Sequence, residues 1–284
     1  MKTLIINADD MGLSDAVNEA IIGCYKAEVI SGVSLMACGR RFKEASRMLR
    51  DVGATEIGAH LTLTGRFRPS SKDASQIKTL LDNAGTFLPG YAPFAVRYLR
   101  SRISKSEIRE ELSAQIEAIL SEGLKITHLD SHEHVHMFPA VLDAIVSLAA
   151  QFGIKYIRLP LESPRMLLKD PYFKDIIRYS ALRPLAARAR GIIKGAGLSS
   201  NEFFLGHVHS GRLNEEILSY MALNVKEGVT ELVAHPAVLS RVLLEESPWH
   251  VNGAKEMKSL MGDTWKSLLA ASGITVLPHS KLAA

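Results

Sequence analysis

Short runs of apolar residues alternate along this chain with longer segments whose apolar positions recur at helical spacing. The short runs predict strands over residues 3–7, 32–37, 56–60, 125–129, 155–159, 231–234 and 273–277. The longer segments predict helices over 15–27, 42–50, 105–121, 139–152, 213–225 and 254–270, the last ending before Gly273. The strands are too uniformly apolar to face water on one side, which points to parallel strands covered by helical crossovers. Seven or so such repeats in 284 residues predict a single (β/α) barrel domain of seven or eight parallel strands spanning 1–284.

Two stretches interrupt the repeat. Residues 65–93 are rich in Gly, Pro and Ser and read as a long inserted loop, a lid or binding wall, whose loss should harm substrate selection more than the fold unless it also supplies core. A second insertion is expected at about 160–200. Within it, residues 158–194 carry nine Lys and Arg against three Asp and Glu, a local charge of +6, and hold apolar clusters at Met166-Leu167-Leu168, Ile176-Ile177 and Ile192-Ile193. That segment reads either as a solvated helical insertion or as a basic amphipathic surface for a lipid-linked or anionic partner, with peripheral membrane contact through 158–194.

Composition narrows the classes further. A net charge of +4 and the lack of any nucleic-acid-binding motif give no argument for nucleic acid. Cys24 and Cys38 have no ligand-like spacing and read as free thiols, and no signal-like or membrane-spanning run is evident, so a cytoplasmic protein is expected.

The candidate chemistry lies where strands should end, the face on which barrel enzymes build their sites. Asp9-Asp10 follow the first strand, with Gly12 and the N-cap candidate Ser14 beyond. His60 ends the third strand within GAHLTLT, and THLDSHEHVHM follows the fourth, gathering four of the ten histidines in 125–137. His235 precedes Pro236 after a late strand. Taken singly each has a bland reading: a turn with a cap, a hydrogen-bonded structural histidine, or a surface histidine cluster. If the 132–136 segment stays extended, His132, His134 and His136 share one side; the spacing is not that of a metalloprotease helix motif. Two adjacent carboxylates on a strand end point to opposite faces, so one can ligate a metal while its neighbour takes a proton from water. One Asp with two His leaves positions open on a divalent metal, suits Zn, Mn, Co, Fe or Ni and is less typical of Mg. The reaction class is hydrolysis at a carbonyl carbon.

NADDMGLS, GAHLTLT, THLDSHEHVHMFP and SGRL…GVTELVAHPA occur in order over roughly residues 3–240 and resemble the YdjC-like carbohydrate deacetylases. The resemblance implies a deacetylase-like barrel, a divalent metal (Mg or Zn, with Mn, Co or Ni admissible) and an N-acetylated sugar substrate. It makes Asp10, His60 and His132 the ligands, Asp9 the base and His235 the acid. Asp130, His134 and Arg158 are candidates for substrate contact, and Tyr91, Phe94 and Trp249 could flank sugar rings. Met11 and Ala237 depart from the family pattern, where Phe and Gly are common, without touching the chemistry. The middle region, with Glu162 after YIRLP and RARGIIKGAGLSSNEFF at 188–204, resembles the hopanoid-biosynthesis-associated members, which implies an N-acetylglucosaminyl glycolipid; a short chitooligosaccharide is the other expectation. A homo-oligomer is expected. Two readings compete: a non-catalytic carbohydrate- or metal-binding barrel, and a metal-dependent hydrolase of another bond such as a phosphoester.

Overall fold

The structure, a computed structural model, describes residues 1–71 and 73–282, with the backbone alone of Glu246. The described elements run β1 (Lys2–Met11), α1 (Asp15–Lys26), β2 (Gly32–Leu35), α2 (Phe42–Asp51), β3 (Ile57–Leu61), α3 (Tyr91–Leu99), α4 (Lys105–Ser121), β4 (Ile126–Ser131), α5 (Pro139–Phe152), β5 (Tyr156–Ile157), α6 (Phe173–Gly195), β6 (Phe203–Leu205), α7 (Glu215–Leu223), β7 (Gly228–Ala234), α8 (Arg241–Glu246), α9 (Gly253–Met261), α10 (Asp263–Ala271) and β8 (Ile274–Val276). All strand pairs are parallel, in the order β5-β4-β3-β2-β1-β7-β6, with β8 beside the start of β1. Isolated parallel bridges, Tyr156 of β5 to Ser199 and Glu162 to Phe204 of β6, bring the chain flanking the two end strands together, and the parallel sheet curls into a half-barrel covered by helices.

β1 pairs with three strands and is buried from Thr3 to Met11, which is why its sequence is apolar on both faces. Its polar end turns sharply at Gly12, whose φ of 97° is open to glycine and costly for other residues. The Ser14 hydroxyl then caps α1 by accepting the Val17 amide at 3.3 Å. β3 approaches β4 closely at Gly58, where an added Cβ would lie 2.2 Å from Nε2 of His128. Cys24 and Cys38 are free.

Several boundaries differ from the pattern-based expectation. The helix expected over 254–270 is two helices, α9 and α10, broken at Gly262, whose extended backbone (φ −67°, ψ 144°) ends one and caps the next. The strand expected over 155–159 shrinks to the two residues of β5; Leu159 pairs its backbone with the Asn201 side chain at 2.8 and 2.7 Å, and Pro160 has no amide to continue the ladder. β6 and α3 were not expected. The 65–93 insertion is more than a loop: Ile77, Leu80 and Phe87 are fully buried, and Glu111 on α4 accepts the amides of Ser70 and Ser71 at 2.9 and 3.0 Å.

Candidate active site

Four strand ends, those of β1, β3, β4 and β7, converge on a cavity of about 540 Å³ at the C-terminal face of the sheet. Asp9, Asp10, His60, His132, His134 and His235 all line it. Asp10 Oδ1 sits 3.3 Å from Nε2 of His60 and 3.0 Å from Nδ1 of His132, and the donor atoms of these three residues lie within 4.8 Å of one another. The Asp10 backbone takes a left-handed φ of 68°, a conformation Asp tolerates better than most residues and one that aims this carboxylate into the cavity. The adjacent Asp9 turns the other way. Its two oxygens accept Nη1 and Nη2 of Arg158 at 2.6 and 2.8 Å, and Nδ2 of Asn7 donates to Oδ1 at 2.7 Å.

The electrostatics fit a cation. Burial by itself would raise Asp9 and lower His60. The charges overrule it: Arg158 and His60 hold the Asp9 carboxyl at about 2, and Asp130 and Asp9 draw His60 up to about 10. His132 is likewise raised, against burial, by Asp10. Imidazoles that hold protons this firmly mark a surplus of negative charge between them. A divalent cation on the same Asp and His atoms would replace those protons, so the donor set fits a metal.

His235 stands on the other side of the cavity. Glu256 on α9 accepts its backbone amide at 2.7 Å, Trp249 packs edge-on at 4.7 Å, and Nδ1 has no hydrogen-bond partner. Burial pushes His235 down to about 4 despite Asp10 and Asp9, so the ring is neutral at pH 7.

Two expectations about contact with substrate are corrected. Arg158 has no exposed surface; it bridges Asp9, Asp130 and Glu231 at 2.6, 2.7 and 2.6 Å beneath the cavity floor. Asp130 is equally buried, with Oδ1 2.8 Å from Nδ1 of His60 and Oδ2 accepting the Ser34 hydroxyl at 2.5 Å. Both orient the residues above them. The 132–136 segment is not extended. It forms a 3-10 turn with left-handed Glu133 and His134 (φ 53° and 54°), which sends the three histidines apart. His132 meets Asp10, His134 turns toward Phe204 and His207, and His136 lies 3.0 Å from the Arg158 carbonyl. Phe94 is fully buried against Tyr98 and Phe138, out of reach of any ligand. Trp249 does line the cavity, while Tyr91 lines an adjoining apolar one of about 350 Å³.

His250 was not anticipated. It is buried, with Nε2 3.1 Å from Asp10 Oδ2 and Nδ1 2.8 Å from the Ser247 hydroxyl. The Ser247-Pro248-Trp249-His250 stretch has no strand before it and no repeating histidine, so no sequence signal marks it.

A parallel barrel with an Asp-His-His donor set at its C-terminal face has the layout of metal-dependent hydrolases. The sequence matches the YdjC-like protein family across residues 3–271, and the chain belongs to that family. It is 28% identical over 260 residues to a carbohydrate deacetylase of Thermoanaerobacter pseudethanolicus, covering 92% of this chain and 91% of that one. Identity to a carbohydrate deacetylase of Brevibacillus brevis is also 28%, over 279 residues, covering 98% and 99%. A solved structure from Enterococcus faecalis V583, proposed to be a cellobiose-phosphate cleavage protein, superposes over 100% of this chain and 99% of that chain with a TM-score of 0.82 at 24% identity, and shares the fold.

Proposed function

We propose that this chain is a carbohydrate N-deacetylase that hydrolyses the acetamido group of an N-acetylated amino sugar with a divalent metal held by Asp10, His60 and His132. The observation that carries the reading is the placement of Asp10 between two imidazoles, with Asp9 and His235 facing the same cavity. The family's carbohydrate deacetylases supply the substrate class.

A divalent metal at these residues supplies Lewis acidity, polarising the acetyl carbonyl and acidifying the attacking water. Asp9 accepts the proton of that water, and Arg158 keeps it ionised at any working pH. His235 delivers a proton to the sugar nitrogen as the C–N bond breaks, since an unprotonated amide nitrogen leaves poorly. Because His235 rests neutral, the proton it gives has to arrive during turnover. A second reading follows from the same geometry. Both Asp9 oxygens are engaged, whereas Nδ1 of His235 is free. His235 then takes the water proton itself and returns it to nitrogen, with Asp9 supplying charge.

The substrate is either an N-acetylglucosaminyl glycolipid or a short chitooligosaccharide, and the adjoining apolar cavity beside Tyr91 accepts a group attached to the reacting sugar in both cases. The test is acetate release after metal loading, from such a lipid in micelles and from diacetylchitobiose side by side. Release is expected from at least one. Asp9→Asn should keep its metal and lose turnover by about 10²–10⁴-fold, the range for a general base. If Asp9→Asn stays active while His235→Ala does not, His235 carries both proton transfers. Release from neither substrate, with metal bound, refutes the reading.

A further inference from the structure

The curled sheet encloses buried polar side chains that the proposed reaction leaves without a role. Glu231 on β7 accepts Nε of Arg158 at 2.6 Å and the Tyr156 hydroxyl at 3.3 Å. β7 and β5 are not neighbours in the sheet, so these contacts cross its inside. His279 completes the group from the end of the sheet away from the cavity. It belongs to the turn His279–Lys281 after β8, and β8 pairs with residues 2–4 at the start of β1, whereas Asp9 and Asp10 stand near its other end. His279 lines neither the active-site cavity nor the adjoining one.

The turn is pinned on both sides. The Leu277 amide donates to the Leu4 carbonyl at 3.0 Å, and the Ser280 amide and hydroxyl both donate to Glu56. His279 has no exposed surface. Its ring stacks on His128 at 3.5 Å and meets the Tyr156 ring edge-on at 4.9 Å. Gly32 leaves it room, since an added Cβ there would lie 2.9 Å from the imidazole. Nε2 faces Oε1 of Glu231 at 3.6 Å.

An apolar side chain would fill this space at less cost. A histidine buried with neither nitrogen hydrogen-bonded loses its hydration, and the Glu231 carboxylate is the charge placed to offset that. Burial would raise Glu231, and Arg158 and His279 together bring it down. Arg158 passes the placement on. Its guanidinium is a rigid planar fork, so fixing Nε fixes Nη1 and Nη2, which hold the two oxygens of Asp9 at 2.6 and 2.8 Å.

We infer that His279 is a positioning residue for the reaction: from the far end of the sheet it braces Glu231, and through Glu231 the guanidinium of Arg158, so that Asp9 keeps its orientation at the site. The inference rests on the role of Asp9 in the proposed deacetylation.

Two variants of the full chain separate bracing from space-filling. His279→Phe keeps a ring against His128 and loses the nitrogen that faces Glu231; His279→Gln gives up the ring and keeps an N–H. Should the larger ring destabilise the chain in denaturation, His279→Leu serves in its place. In the metal-loaded enzyme His279→Phe should lower kcat for acetate release by about 10–100-fold, the range for an outer partner of a site, with KM held because His279 touches neither cavity. His279→Gln should recover part of the loss. The second readout needs no substrate. In the metal-free, ¹⁵N-labelled protein, the Arg158 Nε–H, buried against Glu231, should exchange with water faster in His279→Phe than in the parent, and His279→Gln should slow it again. An unchanged kcat overturns the inference, and so does a lower kcat with the Arg158 signal unmoved. Full activity in His279→Phe with loss in His279→Gln overturns it too, because the ring then only fills space. A parent that releases no acetate refutes the deacetylase reading alone, since the Arg158 signal judges the brace by itself.

Discussion

His250 and Arg158 show how little of this site lies in the residues that touch the cavity centre. Asp10 is held on both oxygens: His60 and His132 approach Oδ1, and His250 meets Oδ2 from the opposite side. His250 is absent from the Asp10-His60-His132 donor cluster, so it acts as a positioning residue that fixes the carboxylate. His250→Ala should therefore weaken metal affinity by about 10–100-fold, measured by titration calorimetry, and His250→Gln, which restores an N–H donor, should recover part of the loss. Unchanged affinity in the Ala variant would remove His250 from the site. The strand-end residues Asp9, Asp10, His60, His132 and His235 were legible because the strands are uniformly apolar and polar residues at their ends stand out. Arg158 and Asp130 were legible as polar but not as buried. Charge in sequence reads as solvent-facing, and only three carboxylates around Arg158 make its complete burial tolerable.

At the scale of elements, the insertion at 65–93 carries an unexpected share of the core. Phe87 donates its backbone amide to the Phe67 carbonyl at 2.9 Å and, with Ile77 and Leu80, has no exposed surface. Phe87→Ala should cost about 3–5 kcal/mol of stability in chemical denaturation, the range for emptying a packed aromatic site. A loss below about 1 kcal/mol would return the segment to the status of a lid. Its apolar residues are spaced by prolines and glycines without helical or strand period, so periodicity could not announce that they are buried. The long elements β1, α1, α4 and α5 were legible from period and caps. β6 and β8 have three residues each; β8 was legible within the apolar run 273–277, while β6 passed unnoticed. The single helix expected at 254–270 failed at Gly262 because a glycine inside an amphipathic run is compatible with either continuation or a break.

For the molecule as a whole, buried titratable groups set opposing responses to pH. Burial pushes Glu162 and Glu256 up to about 7, against the backbone amides they accept. Their ordinary value is 4.5, so between 4.5 and about 7 the folded chain holds more protons than the unfolded one, and stability falls as pH rises through that window. Burial pushes His136 and His235 down to about 4 and His207 to about 3. Between those values and 6.5 the unfolded chain holds more protons, and stability falls as pH drops. Glu162 accepts the amides of Gly206 and Val208 at 2.9 and 2.7 Å. Glu162→Gln should match or trail the parent near pH 5 and gain on it by up to about 3 kcal/mol near pH 8, read from denaturation at each pH. A difference independent of pH would mean that Glu162 does not titrate in this range. The left-handed backbone at Asp10, Glu133 and His134 has a different kind of consequence. Each of these residues occupies a conformation that glycine enters freely and that other side chains enter at a cost. Thermal robustness and the proposed chemistry are thus set against each other at Asp10. A library of variants screened for heat resistance alone would gather a glycine there and discard the carboxylate proposed to hold the metal as it did so.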